Sequence, residues 1–188
     1  LRYYSLSSLN YFFNKHGMEI IHAKRINTHG GSIRVYAAKK NAHKVEKNFL
    51  ELIEYEKKYL YTNGLYNFEK KVIDSKIKIY KLLEEIGAYG KKIYGISAPS
   101  RATTLCNYLG FNRQIIECIL EIDGSKKIDH FLPGTDIPIL NEKKLYLDQP
   151  SYAFIFSWHI KDEIIINLRK KGYRGKFIVP LPKPTIID

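Results

Sequence analysis

The chain has 188 residues, 45% hydrophobic and 27% charged, a balance that excludes a disordered or fibrous protein and allows one good core plus part of another. No apolar run approaches the roughly 20 residues of a membrane-spanning helix, so no membrane partner is expected. The formal charge of +12 is spread evenly: residues 1–90 hold 16 Lys and Arg against 9 Asp and Glu, residues 91–188 hold 15 against 10, and interleaved acids as in "LELIEYEKKYL" mark solvated helix faces rather than a nucleic-acid groove.

The opening "LRYYSLSSLNYFF" has neither the cleavage site nor the continuous apolar core of a signal peptide, and it starts at Leu1, which reads as a cut in a longer chain. Within "SLSSLNYFFNKHG", Leu6, Leu9, Phe12 and Phe13 stand at helical spacing, with Ser5 as N-cap and Gly17 as stop. "MEIIHAKRI" and "GSIRVYAAKK" flank "NTHGG" and predict an antiparallel hairpin. A helix and a hairpin are an odd way to begin a domain and look like the closing elements of one. From Ala42 to Gly90 the period is helical. Val45, Phe49, Leu52, Ile53 and Leu60 form one stripe, "TNG" a break, and Phe68, Val72, Ile79, Leu82, Leu83 and Ile86 a second stripe. Two amphipathic helices therefore connect the hairpin to the C-terminal half of the chain.

From Lys91 strands and helices alternate: "KKIYGI", a helix over Ser100–Leu109, "IIECILEI", "IPIL", a helical turn in "NEKKLY", "YAFIFS", a helix over Lys161–Lys171, and "KFIVPL". Strands apolar on both faces and separated by helices predict a mostly parallel sheet covered on both sides, a Rossmann-like α/β domain. The expected organisation is a helix-and-hairpin remnant over 1–41, a helical connector over 42–90 and the Rossmann-like domain over 91–188. Cys106 and Cys118 lie twelve apart in apolar surroundings without metal-ligand spacing, and read as buried free thiols of a cytoplasmic protein.

"YGISAPSRATTLCNYLG" joins a strand to a helix. Gly95, Ser97 and Ser100 stand at the positions of the dinucleotide fingerprint G-x-G-x-x-G. Serine is small enough for close approach and its hydroxyl can donate to a phosphate. Pro99 suits a first helical turn, and Arg101 adds charge to the positive end of the helix dipole. On the residues alone the stretch serves either an anion or a plain strand-to-helix turn. Glu121 and Asp123 follow the next strand, near where a ribose-binding acid is expected. His29 in "THGGS" is a ligand contact or an exposed loop histidine, and Tyr3 and Tyr4 are ligand contacts or packing. Trp158 and His159 in "FSWHIKDEI" follow a strand at the carboxyl edge, where open α/β sheets bind ligands.

Three stretches, "YYSLSSLNYFFNKHGMEIIHAKRINTHGGSIRVYAAKK", "SAPSRATTLCNYLG" and "LPGTDIPI" with "SWHIKDEIIINLRKKGYRGKFIVPLPKP", resemble the C-terminal part of the S-adenosylmethionine-dependent sugar C-methyltransferases, which act on nucleotide-linked deoxysugars. The resemblance covers nearly the whole chain. It implies a zinc-binding N-terminal region and a middle methyl-donor domain elsewhere in the same polypeptide. Residues 1–41 are then the tail of the methyl-donor domain, and the domain from Lys91 helps to build the sugar-nucleotide site. No cofactor is expected within this chain. The family's "GAPAKG" has lysine where Arg101 stands and glycine where Ala102 stands, and its "PWN" is "SWH" here, so His159 replaces an amide. The family's histidine-and-glutamate catalytic run precedes "YYSLSSL", which implies that the catalytic base lies upstream of Leu1. The implied substrate-binding set is Tyr4, His29, Ser97, Ser100, Arg101, Trp158 and His159, with no methyl transfer by this chain alone. The rival readings are a stand-alone nucleotide-binding module and a basic nucleic-acid-binding domain.

Overall fold

A computed structural model describes residues 3–28, 31–87 and 90–188, with only the backbone of Tyr61. It falls into two compact units, Leu1–Lys71 and Val72–Asp188.

In the first unit α1 spans Leu6–Lys15. Its N-terminus is held twice. Ser5 Oγ accepts from Ser8 N–H at 3.1 Å while Ser8 Oγ accepts from Ser5 N–H at 2.9 Å, a reciprocal cap. The Glu56 carboxylate, from the following helix, accepts Leu6 N–H at 2.6 Å and Ser7 N–H at 2.7 Å. Burial pushes the Glu56 carboxyl up, but the donors from Ser7 and Leu6 outweigh it and hold the group below its usual range.

Strands β1 (Met18–Ile26) and β2 (Ser32–Lys39) form the antiparallel hairpin, in register from Met18 opposite Lys39 to Ile26 opposite Ser32. The register shifts between Ile20 and His22, and the carbonyl of Ile21 at that bulge accepts Glu46 N–H at 2.8 Å, fixing the entry to α2 (Lys47–Tyr61). Phe49 and Ile53 of α2 are buried against Leu6, Ile20 and Ala23, each such side chain contributing about 1.5–3 kcal/mol. The break at "TNG" reduces to Thr62 and Asn63, because α3 already starts at Gly64 and runs to Glu85. A Cβ on Gly64 would collide with the carbonyl oxygen of Tyr59.

The division between the units falls inside α3, and the expected second stripe divides with it. Phe68 is 61% exposed, whereas Ile79 and Leu83 are buried under the second unit's sheet. Spacing identified which residues share a face, but only from Ile79 onward does that face join the core of the second unit.

The second unit is a six-stranded sheet in the order β5-β4-β3-β6-β7-β8. In chain order these are β3 (Ile93–Ile96), α4 (Ser100–Leu109), β4 (Cys118–Glu121), β5 (Ile139–Asn141), α5 (Lys143–Asp148), β6 (Tyr152–Ile155), α6 (Lys161–Lys170), β7 (Lys176–Val179) and β8 (Thr185–Ile187). The first five strands are parallel, and β8 runs antiparallel to β7. Counting strands within the unit, the order is 3-2-1-4-5-6, the doubly wound order whose direction reverses between β3 and β6.

Strand alternation sorts the core into two layers. Ile93, Ile119, Ile139 and Phe154 pack with Ala102, Cys106 and Leu109 of α4 and with α3, while Tyr94, Cys118, Ala153 and Phe177 pack with Leu145 of α5 and Leu168 of α6. Both cysteines are buried free thiols, each pushed up to about 12 by burial. The helix, the hairpin and the mostly parallel sheet are those expected. The three-residue β8 was not anticipated, being too short to show a period.

Two measurements probe this core. A Cβ at position 95 would lie 2.6 Å from Phe156 Cε2 and 2.8 Å from Ile119 Cγ1. Gly95→Ala is therefore expected to lower unfolding stability in urea by about 1–3 kcal/mol, and an unchanged midpoint would show that the strand yields freely. Tyr94 Oη donates to Asp148, and Lys144 Nζ lies 2.7 Å from the same carboxylate. These partners hold the Asp148 carboxyl below its usual range. Its contribution is present above the ordinary carboxylate range and is lost as pH falls through the lowered folded value. Asp148→Asn should thus destabilise at neutral pH, with the gap to the parent closing on acidification; urea midpoints followed from neutral to strongly acid pH decide it.

Candidate functional site

Strand β3 delivers the chain to the point where strand order reverses. Ser97 follows it with φ +62, in the left-handed region that costs a non-glycine residue about 1 kcal/mol or more. The conformation is the one glycine would supply at this fingerprint position, and serine adds a hydroxyl. Ser97 N–H donates to the carbonyl of Leu120 at 2.9 Å, and Ser97 Oγ meets Ser157 Oγ at 2.9 Å across the reversal. The fingerprint's first position works differently from the reading of its spacing: Gly95 lies inside β3, opposite Ile119 and Phe154, and is required there by packing, not by a turn.

The next amide is already engaged. Ala98 N–H donates to Glu121 Oε1 at 2.6 Å, and Lys127 Nζ reaches both the Ala98 carbonyl at 2.8 Å and Glu121 Oε1 at 3.3 Å. Glu121, at the end of β4, thus braces the turn. Asp123 lies farther out, bonded to Asn141 at 2.9 Å and Lys143 at 3.1 Å, partners that hold its carboxyl below the usual range.

Helix α4 opens with Pro99 as N-cap, and no side chain caps its first turn. Ser100 is exposed at the first helical position, and Arg101 follows. The Arg101 guanidinium lies 5.2 Å from the centre of the Trp158 ring, and its Nη1 lies 2.9 Å from His159 Nδ1. Guanidinium has donors only, so His159 Nδ1 accepts and the imidazole keeps its lone pair on that nitrogen. Trp158 and His159 belong to a short 3-10 turn, Trp158–Ile160, that follows β6. An aromatic face, a helix N-terminus and an anchored cation thereby meet at the reversal point, an arrangement suited to a negatively charged ligand.

Ser97, Arg101, Trp158 and His159 are thus brought together, with Ser100 adjacent in the same helix. Tyr4 belongs to the first unit, where it precedes α1 and is 51% exposed. His29 lies outside the described residues. Three participants escaped the sequence reading: Ser157, Lys127 and the bracing role of Glu121. Ser157 stood beside Trp158 in "SWH", yet only its burial at 8% exposure and its hydroxyl contact reveal a role. Among the described residues no group of three or more His, Cys, Asp or Glu is placed to hold a metal ion, and no helix is long and apolar enough to cross a membrane.

The chain is 30% identical over 190 residues to the C-methyltransferase NovU of Streptomyces niveus, an alignment that takes in 99% of this chain and 45% of NovU, so the chain spans about half the length of that relative. A family model described as the C-methyltransferase C-terminal domain matches residues 27–182, which include the Ser97 turn, all of α4 and the Trp158 turn. With most of its length matched, the chain belongs to the C-methyltransferase C-terminal domain family.

Proposed function

We propose that this chain works as the C-terminal part of an S-adenosylmethionine-dependent methyltransferase that adds a methyl group to a carbon of a nucleotide-linked deoxysugar, in the cytoplasm. Residues 1–41 would close the preceding methyl-donor domain, 42–90 would connect, and 91–188 would hold the nucleotide end of the substrate. The observation that carries the reading is Arg101, fixed between Trp158 and His159 at the point where strand order reverses.

Such a reaction needs a methyl donor, a base for the proton beside a keto group, and stabilisation of the resulting enolate. Bound S-adenosylmethionine supplies an electrophilic methyl group on a sulfonium. The residues after β3 fit that donor poorly: the acid in the ribose position, Glu121, has Oε1 tied to Ala98 N–H and Lys127, which leaves only Oε2 for the two hydroxyls of a ribose. We therefore assign the donor and the base to the rest of the parent polypeptide, and orientation to this chain. Arg101, Ser100 and the open first turn of α4 would take the diphosphate. Because the guanidinium is already held against a ring and an imidazole, little freedom is lost when an anion arrives. Tyr4 and His29 are proposed to face the sugar.

Two experiments bear on this. In the full-length parent, Arg101→Ala should weaken nucleotide-sugar binding about 10- to 100-fold, the loss of a charge-assisted contact, with kcat little changed; unchanged affinity would remove Arg101 from the site. The 188-residue chain, incubated with labelled S-adenosylmethionine and candidate nucleotide sugars, should transfer no label. Turnover at the parent's rate would contradict the division of labour.

A further inference from the structure

The even charge of the two halves conceals a concentration. Residues 1–45 hold 8 Lys and Arg against one acid, Glu19, so 7 of the 12 net charges fall on less than a quarter of the chain. Glu19 is already engaged, accepting Asn41 N–H at 2.6 Å. On the hairpin, Lys24 of β1 stands directly opposite Arg34 of β2, a like-charge cross-strand pair that weakens the sheet. Neither cation takes part in an ion pair among the described residues.

The edge of β1 away from β2 has no strand beside it among the described residues. Its beginning is closed by the Ile21 carbonyl, which accepts Glu46 N–H. Past that bond a groove of about 470 Å³ opens between Ala23–Arg25 and α2. Ala23 and Leu52 make its apolar floor. The Arg25 guanidinium lies 4.7 Å from the centre of the Tyr55 ring, so its donors are already oriented. Asn48 bonds Nδ2 to the His22 ring at 2.7 Å and leaves Oδ1 buried without a partner. The acid of the lining, Glu51, lies 3.0 Å from Lys47 and does not neutralise the groove's cations.

We infer that this groove takes an extended acidic segment of a separate partner protein, added to the edge of β1 as a third strand. Strand addition gains its affinity from main-chain hydrogen bonds and its selectivity from side chains on alternate faces. The incoming backbone supplies N–H groups for the open edge and for Asn48 Oδ1. Acidic side chains on its two faces meet Arg25 on one and the Lys24–Arg34 pair on the other, relieving the repulsion there. A lysine on an edge strand wards off chance pairing, and here it admits only strands that carry acid. A nucleic acid would satisfy the cations but leave the strand edge and Asn48 Oδ1 unpaired. All of these residues belong to the first unit, so the inference does not depend on the Arg101 cluster or on the substrate reading.

Amide-resolved NMR of the whole chain tests it, with acetyl-Thr-Val-Glu-Glu-Val-Thr-amide as the probe. The peptide should shift the amide signals of Ala23, Lys24, Arg25 and Asn48. Replacing both of its Glu by Gln should weaken binding about 10-fold, and so should the double variant Lys24→Gln and Arg25→Gln. The same charge change on α3, Lys70→Gln with Lys71→Gln, should leave the affinity unaltered. One of the two alternately N-methylated forms of the peptide should fail to bind, a readout that needs no variant to fold. The full-length parent should bind the peptide as this chain does. Absence of the shifts, equal weakening by the α3 variant, undiminished binding of both N-methylated forms, or tighter binding of oligothymidylate at the same salt would each overturn the assignment. Binding lost in the full-length parent would overturn it as well, by showing that the parent fills its own groove.

Discussion

The second unit is organised by the hydrogen bond between Ser97 and Ser157, which spans the line where the sheet reverses its strand order. Parallel strands β3 and β6 lie side by side there, yet the chain leaves them toward opposite layers, by way of α4 and of α6. Such divergence opens a crevice in any doubly wound sheet. Here its floor is set by a serine held in a left-handed backbone and tied sideways to a buried serine. The conformational strain at Ser97 persists because three contacts over-determine it: its own N–H to Leu120, its hydroxyl to Ser157, and the neighbouring amide to Glu121.

That floor fixes what lies around it. Glu121 and Lys127 brace the turn from the β4 side. Pro99 starts α4 without a side-chain cap, so the helix presents its positive end next to a guanidinium already oriented by Trp158 and His159. Affinity for an anion at such a place comes less from the number of contacts than from how few degrees of freedom remain to be frozen.

Most of the second unit was legible from residue 91 onward, because doubly buried strands and amphipathic helices alternate without ambiguity. Thr185–Ile187 was not, since three residues next to prolines carry no period. Phe68 misled because helical spacing says which side chains are neighbours and nothing about where their common face ends. In the site, Ser97, Arg101, Trp158 and His159 were each recognisable by type and by position at a strand end. Their convergence was not, because Arg101 and His159 are separated by 58 positions and only the pairing of β3 with β6 brings them together. Gly95 was placed at the fingerprint's first position, but motif spacing cannot tell a residue that must bend from one that must merely be small. Glu121 was noticed as an acid at a strand end, but its bond to a backbone amide 23 positions away is a tertiary fact.

The Glu56 carboxylate on the first turn of α1 has a consequence for assembly. A ten-residue helix is marginal in water by itself, and part of this one's closure is supplied by a group some fifty positions later, beyond the whole hairpin. The closure that Glu56 supplies to α1 is available only once α2 has docked, so the two helices are expected to gain protease resistance together.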